Sequence, residues 1–141
     1  MERRDFLKKS CTICLALGSG VSLVSLSSCG SALSIYTTAV SNNRLSIPVE
    51  QFALTNFQIV RPLNYGYDIA VNKQSDGTYQ AIKMECTHAN NPLTATGSGF
   101  YCSEHGSAFD KQGKVTNGPA VNPLKHYKTE VENYQLFIYL S

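Results

Sequence analysis

Four side chains set the chemistry open to this 141-residue chain. Cys86-Thr87-His88 places a thiol two residues before an imidazole, and Cys102-Ser103-Glu104-His105 repeats the pairing with one more residue between them. Two cysteines alone in an exported protein pair by default as a disulfide. With a histidine beside each, three other arrangements compete. All four side chains can hold one zinc ion tetrahedrally, because thiolate and imidazole are preferred zinc ligands. One thiol can act as a nucleophile activated by a nearby histidine. The boxes can also hold a 2Fe–2S cluster, one iron taking both thiolates and the other both imidazoles. His126, in Lys125-His126-Tyr127, reads as a surface histidine. Ser103 and Ser107 lie near His105, but only Asp110 is available to complete a triad, and it reads better as a hairpin residue.

These boxes need a scaffold, and the scaffold reads as β. Leu45-Ser46-Ile47-Pro48-Val49 and Phe57-Gln58-Ile59-Val60 alternate, as do Tyr67 to Val71 and Thr78 to Met84, the period of half-buried strands. Asp76-Gly77 joins the last two as a hairpin turn. Tyr127 to Val131 and Gln135 to Leu140 form a further pair around Glu132-Asn133. No window sustains the helical i, i+3, i+4, i+7 pattern over ten positions, so helix content should be low. Between Cys86 and Pro123 the chain is rich in Gly, Pro, Asn and Ser and reads as a loop layer on the β scaffold, where function usually sits. Tyr65, Tyr67, Tyr79, Tyr134 and Tyr139 read as core and edge packing, and Lys111 and Lys114 as a solvated turn.

Cys86-Thr87-His88, followed after thirteen residues by Cys102-Ser103-Glu104-His105-Gly106-Ser107, resembles the Rieske motif. Phe109-Asp110, Gly113-Lys114-Val115, Gly118-Pro119-Ala120 and Pro123-Leu124-Lys125 with Tyr127 extend the likeness over about residues 45–141. The resemblance implies an all-β Rieske domain of stacked antiparallel sheets, with a small rubredoxin-like cluster-binding subdomain at about 84–110. It implies one 2Fe–2S cluster, with Cys86 and Cys102 on the inner ferric iron and His88 and His105 on the outer, redox-active one. Gly106 would permit the tight backbone beside the sulfur atoms, and Ser107 matches the serine that hydrogen-bonds a bridging sulfide. With two ferric ions, two sulfides and two thiolates the charges cancel, so electron uptake is easier than in an all-cysteine cluster. Potentials then run from roughly −150 to +300 mV against about −400 mV for plant-type centres. Two departures matter. Asn91 and Glu104 stand where quinol-oxidising members carry loop-bridging cysteines, and Phe109 replaces a tyrosine that donates to a ligand sulfur. One hydrogen bond kept and one lost implies an intermediate potential, which should fall at alkaline pH as the imidazoles of the oxidised centre lose protons. The implied function is one-electron transfer between redox partner proteins, alone or as a subunit of a quinol-oxidising complex. The length leaves no room for the mononuclear-iron domain of an oxygenase. A zinc-bearing structural or binding lipoprotein is the alternative from another class.

The first residues read as an address. Met1 to Lys9 is charged, and no charge follows from Ser10 to Asn43, the layout of a signal peptide. Nine of the twenty residues from Ser10 to Cys29 are Ser, Thr or Gly, too diluted for a confident spanning helix. Arg3-Arg4-Asp5-Phe6-Leu7-Lys8 resembles a twin-arginine export signal, a route that carries proteins already folded and often loaded with a metal cofactor. Leu26-Ser27-Ser28-Cys29 resembles a bacterial lipobox. The expected layout is a signal peptide at 1–28, lipidation of Cys29, a polar tether over 29–44 and the Rieske domain over 45–141, held at the periplasmic face of a membrane. The whole chain carries 12 Lys and Arg against 10 Asp and Glu. Residues 29–141 carry eight of each sign, and a neutral body without a basic run excludes nucleic-acid binding as a reading.

Overall fold

A computed structural model describes residues 33–141. Residues 1–28, expected to be a signal peptide, with Cys11 and Cys14, and Cys29, the expected lipidation site, lie outside the described residues. The alternating segments become β2 (Arg44–Pro48), β3 (Phe57–Leu63), β4 (Ile69–Lys73), β5 (Tyr79–Lys83), β10 (His126–Glu132) and β11 (Gln135–Tyr139). With β1 (Ile35–Ala39) they form a seven-stranded sheet in the order β1-β3-β4-β5-β10-β11-β2. Every neighbouring pair is antiparallel except β1 and β3, which run parallel with Ile35 opposite Ile59. The sheet curls until its edges approach, and Thr38 on β1 donates its hydroxyl proton to the Ser46 carbonyl on β2 at 3.3 Å. A short 3₁₀ turn, Val49–Phe52, is the helical element among the described residues.

The centre of this sheet is buried on both faces. Along β3, β4 and β5 successive side chains enter different cores. Val60, Ile69, Val71 and Ala81 pack inside the curl with Leu45, Ile47, Leu136 and Ile138. Ile59, Ala70 and Ile82 point the other way, into a second core with Met84, Leu93, Phe100, Phe109, Leu124 and both Cys86 and Cys102. The unbroken apolar run Ile69-Ala70-Val71 reflects that double burial. A second sheet covers the outer face: β6 (Thr94–Thr96), β7 (Gly99–Tyr101), β8 (Ala108–Asp110) and β9 (Val115–Asn117), antiparallel in that order.

The observed fold departs from the sequence reading in four places. Part of the expected tether is structured: Ile35–Ala39 is a strand along the edge of β3, and Tyr36 packs against the inner core. Its Ile-Tyr-Thr-Thr sequence is rich in strand formers that the surrounding Ser and Asn residues disguise. The loop layer between Cys86 and Pro123 contains the four-stranded sheet, whose three-residue strands are too short to show an alternation. That sheet also runs to Asn117, past the expected limit of the subdomain at 110. The last hairpin turns one residue later than expected, with Asn133 (φ 49°) and Tyr134 (φ 62°) both left-handed, as a two-residue turn between twisted strands requires.

Chain entry and the Cys/His loops lie at opposite ends. The chain arrives at Ile35 beside the start of β3, where Phe57 pairs with Asn72 at the end of β4. The two Cys/His loops lie beyond the other end, where β3 finishes at Leu63 and β5 at Lys83. Seven strand residues separate these ends, about 20 Å.

Gly99 locks the small sheet. Its φ is +152°, and a Cβ there would lie 2.0 Å from the Phe109 carbonyl oxygen on the neighbouring strand. Gly99→Ala should therefore destabilise the protein by about 2 kcal/mol or more, measured as a lowered midpoint in urea unfolding.

Candidate metal centre

The two Cys/His loops share one backbone design. In the first, the Cys86 N–H donates to the Asn91 carbonyl at 2.8 Å and the Asn90 N–H donates to the Cys86 carbonyl at 2.9 Å. In the second, the Cys102 N–H donates to the Ser107 carbonyl at 2.9 Å and the Gly106 N–H donates to the Cys102 carbonyl at 3.1 Å. Each loop thus closes with the residue four after its cysteine in a left-handed conformation: Asn90 at φ 55° and Gly106 at φ 81°. Glycine and asparagine are the residues that reach that region most easily. Gly106 was readable from the sequence. Asn90 was not singled out, although its identical offset from the preceding cysteine is the signal that reveals it.

This turn sends the two residue types of each box in opposite directions. Cys86 and Cys102 are each 1% exposed, within the outer core, and form no disulfide. His88 and His105 are exposed, with ring centroids 5.0 Å apart and planes at 81°. Burial pushes the Cys86 thiol up. The backbone N–H of His88, the Cys102 and Ser107 side chains and the Ala89 N–H outweigh it, leaving the thiol below its ordinary value. Hydrogen bonds that favour the thiolate favour metal ligation by the same sulfur.

A third loop clamps the first two. It contains the cis Gly118-Pro119 bond. The Ala120 N–H donates to the Ser107 hydroxyl at 3.0 Å, the Thr87 hydroxyl donates to the Asn122 carbonyl at 2.7 Å, and the Asn117 amide donates to the Gly106 carbonyl at 2.9 Å. Ser107 is fully buried. Its oxygen accepts from Ala120, which leaves its single proton free to donate. Phe109 packs in the same core as both cysteines and brings no donor there.

The structure thus joins Cys86, His88, Cys102, His105, Gly106 and Ser107 in one place, and leaves the other sequence candidates outside it. His126 is exposed, its Nε2 2.9 Å from the Gln112 carbonyl. The Asp110 carboxylate accepts the N–H groups of Gln112 and Lys114, each at 2.9 Å, so it caps a hairpin and orients no triad. Tyr134 is exposed at the hairpin tip rather than packed, whereas Tyr79 is buried in the inner core. Among the described residues no group of three His, Cys, Asp or Glu side chains converges on one point. A two-iron cluster asks for only two protein donors per iron and fits an inner thiol pair and an outer imidazole pair.

Two loops offering thiols inward and imidazoles outward from a doubly buried β-sheet define a small metal-binding β-domain. Residues 49–128 match the Rieske [2Fe-2S] domain family, and the chain belongs to it; its cofactor is a 2Fe–2S cluster. It is 36% identical over 69 residues to the cytochrome b6-f complex iron-sulfur subunit 2 of Nostoc sp., covering 46% of this chain and 39% of that one. It is 33% identical over 73 residues to the cytochrome b6-f complex iron-sulfur subunit of Chlorobaculum thiosulfatiphilum, covering 50% and 39%. The chain thus spans about two-fifths of the length of these relatives. Among solved structures it is similar to the cyanobacterial plasma membrane Rieske protein of Synechocystis PCC 6803, with a TM-score of 0.46, 22% identity and coverage of 68% and 85%.

Removing the Ser107 hydroxyl strands the buried Ala120 N–H. Ser107→Ala should cost about 1–3 kcal/mol, read as a lower thermal unfolding midpoint of the cluster-free protein.

Proposed function

We propose that this protein is a one-electron carrier in which Cys86 and Cys102 ligate one iron of the cluster and His88 and His105 the other. The observation that carries this reading is the division of the site, with both cysteines buried in the outer core and both imidazoles exposed side by side. The cluster, when bound, supplies one reversible electron. The buried thiols keep the sulfur side dry, where hydrogen bonds count most. The exposed imidazole edges give a partner the shortest contact with the metal side.

The relatives named above are subunits of cytochrome b6-f complexes, which supports a second reading of this chain as the Rieske subunit of a quinol-oxidising or related complex. Asn91 and Glu104, in place of loop-bridging cysteines, favour the free-standing carrier. The twin-arginine-like leader and the lipobox-like Leu26-Ser27-Ser28-Cys29 support export after folding and attachment to the periplasmic face of a membrane through lipid on Cys29. Two or more acyl chains suffice for stable attachment.

Protein purified without oxygen from iron-replete cells should contain acid-labile sulfide and give a low-temperature paramagnetic signal after dithionite. Absence of both defeats the assignment. Phe109→Tyr should raise the midpoint potential in protein-film voltammetry, since it offers a donor to the sulfur side; an unchanged or lower midpoint would remove Phe109 as a determinant. Cys29→Ser should move the protein from the membrane to the soluble periplasmic fraction, and retention in the membrane would point to a different attachment.

A further inference from the structure

The first Cys/His loop is held from behind by the turn between β3 and β4. Tyr67, on that turn, donates its hydroxyl proton to the Asn90 carbonyl at 2.6 Å. Asn90 is the left-handed residue that closes the loop, and its own N–H is bonded to the Cys86 carbonyl. The hydroxyl therefore grips the residue on which the turn geometry of the loop depends. Glu85, immediately before Cys86, forms an ion pair with Lys83. The Lys83 ammonium stacks over the Tyr67 ring at 4.5 Å and over the Tyr65 ring at 5.8 Å, which fixes the tyrosine from below. Burial, then the Glu85 carboxylate, raise the Tyr67 hydroxyl above its ordinary value, so it remains a donor throughout the neutral range.

Among the described residues the second loop receives no such side-chain hydrogen bond from the base sheet. It is tied to the third loop through Ser107 and Asn117. The first loop has one tie to that third loop, from Thr87 to Asn122, and Tyr67 supplies its tie to the base. Neither Asn91 nor Glu104 makes a side-chain hydrogen bond between the two Cys/His loops among the described residues.

We propose that Tyr67 is a positioning residue for the metal centre, holding the Cys86–His88 loop in its cluster-binding conformation through the Asn90 carbonyl. The inference rests on the ligand reading above and deepens it. Tyr67 acts on the site through Asn90. It keeps the loop closed through the Asn90 N–H bond to the Cys86 carbonyl, and with it the amides that follow Cys86 in the turn. When that grip is lost those amides drift, the sulfur carries more uncompensated negative charge, and the potential falls.

The test uses the full chain with Tyr67→Phe, which keeps the ring over Lys83 and removes only the hydroxyl, beside Tyr65→Phe, which alters the same cluster without touching the loop. Amide hydrogen exchange at residues 86–91 is followed in both the cluster-free and the loaded protein, with cluster loss to a chelator and the midpoint potential measured on the loaded form. Tyr67→Phe should speed exchange at Asn90 and cluster loss by roughly three- to tenfold, the factor expected for one net hydrogen bond, and lower the midpoint. The thermal unfolding of the base sheet should stay unchanged, and Tyr65→Phe should match the unsubstituted protein in exchange and loss. Equal exchange, loss and potential in Tyr67→Phe and the unsubstituted protein would overturn the proposal, as would equal effects of the two substitutions. If the unsubstituted protein takes up no cluster, the ligand reading fails on its own account, while exchange at Asn90 in the cluster-free chain still decides whether Tyr67 holds the loop.

Discussion

A thiolate placed in a dry core is costly unless hydrogen bonds and a metal offset its charge, and this requirement governs the architecture. Cys86 and Cys102 are as buried as the aliphatic residues around them. Their burial requires a second core outside the curled sheet, so β3, β4 and β5 must present apolar side chains on both faces. The small sheet exists to close that second core from above. The loops then deliver backbone N–H groups to sulfur inside it, while sending the imidazoles the other way into solvent. Pulling the four side chains to one side would bury the imidazoles or wet the thiols.

Much of this was legible in the sequence because it depends on local signals. The Cys/His boxes, the alternating segments and Asp76-Gly77 are each complete within a few residues. What escaped depends on distant pairing or on very short elements. β1 gains its meaning only from β3, some twenty residues on, and its serine and asparagine neighbours mask four good strand formers. The strands of the small sheet are three residues long, and no period can be established in so few positions. The role of Asn90 lay hidden because asparagine is common in every kind of turn; only comparison of the two loops at equal offset from their cysteines brings it out. Tyr67 read as packing because a tyrosine at strand spacing usually is. Nothing local indicates that its hydroxyl meets a carbonyl 23 positions away.

The order of the site is spread over several modest bonds from separate parts of the chain. The β3–β4 turn reaches the first loop through Tyr67. The Asn117–Asn122 segment reaches both loops through Asn117, Ala120 and Asn122, and Ser107 links that segment to sulfur. Each such bond is worth only about 0.5–1.5 kcal/mol net, yet together they set the two loops at a common height. The base sheet adds an inner core of Leu45, Ile47, Leu136 and Ile138 on the face away from the loops.

The polarity of the sheet has a mechanical meaning. Because the chain enters at one pole and the imidazoles crown the other, the domain is a spacer as well as a holder. The strand that begins at Ile35 and the exposed imidazoles thus stand a full strand length apart. The reach of the crown is then set by the length of the strands, and its choice of contact by the few side chains around two rings.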